Sequence, residues 1–196
     1  VLYVLGAMYE REVGDVEKAI NTYQRVLEFE PDDIQSIQRL DILYSEKEAW
    51  HDLLSILERE VELADEPDEI VSFKYRIGEL YVKHLSDIDR AIEQFNEILE
   101  VQPDHEPTLN ALEGLVSNDK GAMAAADVLE PIYQNLGEWR KLVGVFEVKL
   151  KHSEDVETRV SLLHQMAELL ESDLHLDSPG EAFDVYARAM AEDPMN

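Results

Sequence analysis

GAMYEREVGDVEKAINTYQRVLEFEP, residues 6–31, and GELYVKHLSDIDRAIEQFNEILEVQP, residues 78–103, carry one pattern twice. A glycine (Gly6, Gly78) is followed by an aromatic (Tyr9, Tyr81), an alanine (Ala19, Ala91), a second aromatic (Tyr23, Phe95), a branched residue (Val26, Ile98) and a proline (Pro31, Pro103). A looser third copy runs through Ala167, Leu170, Ala182, Tyr186, Ala189 and Pro194. In all three the alanine precedes the proline by 12 residues, and an aromatic stands four after the alanine. A fixed internal period of this kind means stacked helical hairpins, each unit burying its apolar face against the next.

Within a copy, Leu2, Leu5, Tyr9 and Val13 recur at spacings of three and four, and Gly14-Asp15 interrupts them. Val16, Ala19, Ile20, Tyr23 and Leu27 then resume the period, giving two amphipathic helices in one hairpin. Pro31-Asp32-Asp33 and Pro67-Asp68-Glu69 end one helix and give the next an acidic start, which suits the positive end of a helix dipole. Between them, Ile34, Ile37, Leu40 and Tyr44 form one stripe, and Trp50, Leu53, Leu54 and Leu57 form another, extended by Val61. After Pro67 the stripe continues through Ile70, Phe73, Ile77, Leu80 and Tyr81, then Ile88, Ala91, Ile92, Phe95 and Leu99. The small residues have a mechanical reason: packed helices approach to about 8–10 Å, leaving no room for a larger side chain where backbones meet. Tyr23, Phe95 and Tyr186 are expected to fill the adjacent holes.

This order of small residue, aromatic, Ala, aromatic, branched residue and Pro resembles the tetratricopeptide repeat. The resemblance covers about 3–31 and 73–103 and weakens over 162–194. It implies an all-α, right-handed superhelical solenoid of antiparallel helix pairs, about eleven helices in all. Two departures stand out. The interval from small residue to alanine is 13 in the first two copies and 15 in the third, so lengthened turns are expected between the helices. The copies also lie 72 and then 91 residues apart, more than a repeat of about 34 residues produces.

A second, diverged unit fills those intervals. Tyr44, Trp50, Leu53 and Leu57 align with Tyr133, Trp139, Leu142 and Phe146; both copies lack the Ala and Pro signature but share a tryptophan opening a helix. The reading is a single repeat domain over 1–196, with units near 1–33, 34–66, 67–105, 106–153 and 154–196. Surplus sequence from about Pro107 to Met123, with Leu109, Leu112 and Leu115, is expected to form one extra helix, which either exchanges inner and outer helix roles beyond it or folds outside the stack. Pro131 is expected to kink or delay the helix spanning 124–136. Trp50, Trp139, Met166 and Met190 are read as core. Because Val1 is not an initiator methionine and the repeat is already under way, the chain is expected to be an excerpt of a longer protein.

Composition narrows function. The chain has 17 basic and 44 acidic residues, a formal charge of −27, which repels phosphate backbones, so nucleic acid and anionic membranes are not expected partners. The acidity either steers a basic protein or peptide toward the surface or keeps a long solenoid soluble. No apolar run approaches the roughly 20 residues that cross a bilayer. A soluble protein is expected, with a cytoplasmic setting favoured. The absence of cysteine excludes disulfides and thiolate chemistry within these residues.

Function in such folds sits on the inner helices, which line a concave groove. The family's groove positions fall on Tyr3, Ala7 and Glu10 in the first unit, Gln35, Gln38 and Ile42 in the second, and Tyr75, Glu79 and Val82 in the third. His164, Glu168 and Glu171 are their counterparts at the far end. Aromatics there would anchor a peptide and carboxylates would select basic side chains. The chaperone-tail binders of the family hold a carboxylate with Lys, Asn and Arg, none of which occupies the first unit's groove positions.

No catalytic, cofactor or metal constellation emerges. His164 and Glu168 are four apart on one helix, yet a zinc site needs three or four converging ligands. His84-Leu85-Ser86-Asp87-Ile88-Asp89 reads as an inter-helix turn, with Asp87 and Asp89 starting a helix. Phosphate-binding and calcium loops are missing. The expected function is a non-catalytic protein-interaction scaffold without cofactor; the alternative is the substrate-recruiting or regulatory arm of a multidomain enzyme.

Overall fold

The computed structural model describes residues 1–117 and 121–193. Residues 118–120, inside the expected extra helix, and Pro194 of the third copy lie outside them. The described residues form eleven α-helices and no strand: α1 (Leu2–Met8), α2 (Val16–Phe29), α3 (Ile34–Glu46), α4 (Trp50–Leu63), α5 (Pro67–Leu80), α6 (Ile88–Val101), α7 (Glu106–Val116), α8 (Ala122–Leu136), α9 (Trp139–His152), α10 (Val156–Glu171) and α11 (Pro179–Glu192). Contacts divide the chain into two compact units, Val1–Gln94 and Phe95–Asn196. Within the first, α1 packs on α2, α2 on α3, α3 on α4 and α4 on α5; within the second, consecutive helices pack in the same way from α7 to α11.

Helix starts follow the acidic punctuation. The Asp15, Asp33 and Asp155 side chains accept from the backbone N–H groups of Lys18 (3.0 Å), Ser36 (2.8 Å) and Thr158 (2.7 Å), each satisfying one amide that the first turn leaves open. Asp87 does the same for Arg90 at 3.2 Å, and Asp89 lies in the first turn of α6, as expected of both. Pro67 opens α5, where its missing N–H costs nothing.

The small residues take the closest approaches. Ala19 and Tyr23 are 0% exposed, and a Cβ placed on Gly6 of α1 would stand 2.8 Å from Tyr23 Cε1 of α2. A glycine at this position leaves room for that ring beside the α1 backbone. In the second copy Gly78, Ala91 and Phe95 are likewise buried. The third is looser: Ala167 and Ala182 are buried, while Tyr186 is half-buried and donates its hydroxyl to Glu171 at 3.2 Å.

The extra residue of the first two copies is not in the turn. It is absorbed into the end of the first helix as a π-helical turn, Tyr9–Val13 after α1 and Tyr81–Leu85 after α5. Widening the i→i−4 ladder to i→i−5 accommodates one residue without lengthening the loop. Each π turn closes on a left-handed residue, Gly14 (φ 70°) or Ser86 (φ 56°), whose N–H donates to Tyr9 or Tyr81. Only two residues then separate it from the next helix. In the third copy the loop itself is longer, spanning residues 172–178.

Several expectations need correction. The extra helix exists as α7 but ends at Val116, and Met123 belongs to α8, which begins after the left-handed Gly121 (φ 81°). Pro131 does not delay α8, which already runs from Ala122 and continues through it to Leu136. Met166 is buried, but Met190 is 68% exposed on α11. Trp50 and Trp139 are half-buried rather than core, each ring lying against a histidine: His84 at 3.7 Å between centroids, His175 at 4.3 Å.

Ser86 holds a left-handed conformation that glycine adopts freely and that costs a Cβ-bearing residue about 1 kcal/mol. Ser86→Gly should therefore raise stability by ~1 kcal/mol in urea unfolding, and Gly14→Ser, where an added Cβ meets nothing within 4 Å, should lower it by a similar amount. A neutral result at both positions would contradict the strain assigned to the turns.

Candidate functional site

The nine groove candidates of the first unit lie on α1, α3, α5 and the π turns that end α1 and α5. None is buried: Tyr3, Ala7, Glu10, Tyr75, Glu79 and Val82 are half-buried, and Gln35, Gln38 and Ile42 are exposed. Two arginines bring these three helices side by side. Arg39 of α3 reaches back to Glu10, donating from Nε at 3.1 Å and pairing a second nitrogen with the same carboxylate; Tyr23 also donates to Glu10, at 3.0 Å. Arg76 of α5 donates to both oxygens of Asp41 on α3, at 2.6 and 2.8 Å. Bidentate pairs of this kind fix orientation as well as distance.

These clasps reassign Glu10. Its carboxylate is taken up by Arg39 and Tyr23, so it holds the units together rather than offering a free charge. Glu79 pairs with Lys83 one turn on, and burial and the Glu79 carboxylate push the Tyr75 hydroxyl above its ordinary pKa. Tyr3 packs its ring against Tyr23 at 5.5 Å between centroids. Gln35, Gln38 and Ile42 remain as an open row along α3.

Between α3, α4 and α5 lies a cleft of about 210 Å³, walled by Ile34, Ile37, Leu63 and Phe73, with Gln38, Glu60 and Glu69 supplying its polar atoms. Glu60 is 7% exposed, and its Oε2 has no hydrogen-bond partner among the described residues; Arg76 Nη1 is 4.0 Å away. Burial first, then the Asp41 carboxylate, pushes the Glu60 carboxyl up to about 7, and the Arg76 guanidinium offsets part of this. Sequence reasoning missed Arg39, Asp41, Glu60 and Arg76. For Glu60 a signal was present, because it follows Leu53 and Leu57 at helical spacing and so interrupts an apolar stripe with a carboxylate.

In the second unit, His164, Glu168 and Glu171 are exposed on α10. His164 sits edge-on to Tyr186 at 5.8 Å, and Glu171 accepts from that tyrosine. Glu168 lines a cleft of about 210 Å³ with Trp139, Phe146 and His175. Among the described residues no three His, Cys, Asp or Glu side chains converge as a metal site would require. No helix among them is long and apolar enough to cross a membrane.

Residues 1–33 and 71–105 each match a family profile described as Tetratricopeptide repeat. Those two segments are tetratricopeptide repeats. Similar solved structures include MamA (16% identity over 98% of this chain and 90% of that one, TM-score 0.40). YrrB, a TPR protein with an unusual peptide-binding site, is 13% identical over 100% of this chain and 86% of that one, at a TM-score of 0.38. The TPR2AB domain of yeast Sti1, in complex with pHSP90, is 18% identical over 98% and 76%, at 0.40. No curated protein matches the present chain. The two matched tetratricopeptide segments coincide with the two glycine-containing copies, while α3–α4 and α8–α9, whose second helices open on the paired tryptophans, fall outside them.

The Glu60 carboxyl titrates near 4.5 when unfolded and about 7 when folded, so the folded protein binds the proton more tightly. Its contribution is therefore favourable at low pH and is lost as pH rises from about 4.5 through about 7. Glu60→Gln removes this slope: the variant's stability relative to the parent should grow between pH 5 and pH 8 by up to ~3 kcal/mol. Urea unfolding at the two pH values measures it, and a difference that does not change with pH would show Glu60 to be ionised throughout.

Proposed function

We infer that the chain is a protein-interaction scaffold, as tetratricopeptide repeats typically are. We propose that it binds an extended or helical segment of a protein partner along the face made by α1, α3 and α5, with His164, Glu168 and Glu171 as a separate candidate surface on the second unit. The observation that carries this is the arrangement of the first unit. Arg39 and Arg76 hold the three helices side by side, while Gln35, Gln38, Ile42, Tyr75, Glu79 and Val82 stay out of the core.

Such a row combines the roles a peptide groove requires. The phenol of Tyr75 is a rigid amphipathic anchor, the amides of Gln35 and Gln38 suit a partner's backbone, and Ile42 offers an apolar contact. The partner is basic in this reading. Arg39, Arg76 and Lys83 are each matched to a carboxylate of the fold, so the excess of acid over base in the chain is left for solvent or for a cationic ligand.

The test is partner capture with the full-length protein, comparing the parent with a Tyr75→Ala, Glu79→Ala variant. Loss of one aromatic anchor and a neighbouring charge should weaken the captured partner by about 2 kcal/mol, roughly thirtyfold, with far-UV circular dichroism unchanged. A folded variant that retains every partner at parental affinity contradicts the groove assignment.

A further inference from the structure

The two diverged units are copies of one another at a constant offset of 89 residues, from Tyr44 to Tyr133 and from Trp50 to Trp139; the offset persists from Gly78 to Ala167. At that offset Gln38, Asp41 and Glu60 correspond to Asp127, Glu130 and Lys149. In the second unit Lys149 of α9 is 14% exposed and its ammonium is held by Glu130 and, at 2.5 Å, by Asp127, both on α8. The site there is complete: one half-buried ammonium and two carboxylates that accept from it.

The first unit has the charges reversed at the central position. Asp41 is kept, but the lysine is replaced by the buried carboxyl of Glu60 and one of the accepting carboxylates by Gln38. Arg76 compensates only in part, since its guanidinium is committed to both oxygens of Asp41 and leaves Glu60 Oε2 without a donor. A buried carboxylate oxygen without a donor is costly, and the residue that carries it lines the cleft between α3, α4 and α5. At about 210 Å³ this cleft is well above the roughly 10–15 Å³ that a single water needs and below the ~300–1,000 Å³ of small-molecule sites. Its walls are apolar and its polar atoms sit on Glu60, Glu69 and Gln38, which suits an aliphatic stem ending in a cation.

We propose that this cleft is a receptor for one lysine side chain of the partner protein, its methylene stem lying on Ile37, Leu63 and Phe73 and its ammonium donating to Glu60. The site supplies from outside the ammonium that Lys149 supplies from within in the second unit. It rests on the reading of the chain as a protein-binding scaffold and adds which side chain is selected and where.

The test uses Nα-acetyl-lysine N-methylamide as probe on the isotopically labelled protein, followed by amide chemical shifts at pH 8 and physiological ionic strength. The lysine derivative should give saturable shifts at Glu60, Leu63, Ala64 and Phe73. The norleucine counterpart, with the same stem and no charge, should give none, and Glu60→Gln should weaken binding roughly tenfold or more while keeping a folded spectrum. Equal responses to norleucine, or an unaltered response in Glu60→Gln, overturn the proposal; tighter binding of the arginine counterpart overturns the choice of an ammonium. The outcome separates from the groove reading. If lysine binds here while the Tyr75→Ala, Glu79→Ala variant keeps all its partners, the groove fails and the cleft stands; lost partners with no lysine response mean the reverse.

Discussion

In the first unit the α1 backbone at Gly6 lies against the ring of Tyr23 on α2. The ring leaves no space for a Cβ, and Ala19, one helical turn earlier on the same helix, is wholly enclosed. This interlock sets the distance between the two helices of a hairpin, and with it which faces remain for the next hairpin to cover. It also positions the Tyr23 hydroxyl on Glu10, whose carboxylate is then in place to receive Arg39 from α3. One steric constraint is thereby linked to the electrostatic clasp that aligns consecutive units. The exposed row on α3 and α5 is what remains once those demands are met.

Much of the fold was legible in the sequence because its determinants are local and periodic. Stripes at spacings of three and four placed the helices, and acidic residues after prolines marked their starts. The repeated glycine–alanine–aromatic order gave the hairpins, and the paired Trp50 and Trp139 exposed the alternation of matched and diverged units. What escaped were features in which two backbone solutions share one sequence signature. An interval of 13 residues is satisfied equally by a longer loop or by a π turn, and only the backbone of Tyr9–Val13 and Tyr81–Leu85 decides between them. Pro131 forfeits one hydrogen bond to Asp127, a cost that the buried neighbours Leu129 and Tyr133 outweigh within α8. Met190 was assigned to the core from periodicity, which shows that a residue lies on a stripe but not that another element covers it.

The candidate site was less legible, and for a different reason. Family positions propose a face, on which Gln35, Gln38 and Ile42 are exposed, but they do not tell a free carboxylate from a consumed one. Glu10 and Glu79 are tied to Arg39 and Lys83, partners 29 and four residues away in sequence. Among the described residues, a buried carboxylate oxygen without a hydrogen-bond donor belongs to Glu60, on the second helix of a diverged unit, where no groove position falls. Its distinctness becomes visible only when the two diverged units are laid over one another and Lys149 is found in its place.

The central claim is that the Gly6–Tyr23 interlock governs hairpin geometry, and a double-mutant cycle measures it directly. Gly6→Ala is introduced into the parent and into a Tyr23→Leu background, which lacks the ring atoms a Cβ at position 6 would strike. The account predicts that Gly6→Ala costs about 1–3 kcal/mol in the parent and much less in the trimmed background, a coupling of similar size by urea unfolding. The same cost in both backgrounds would contradict it.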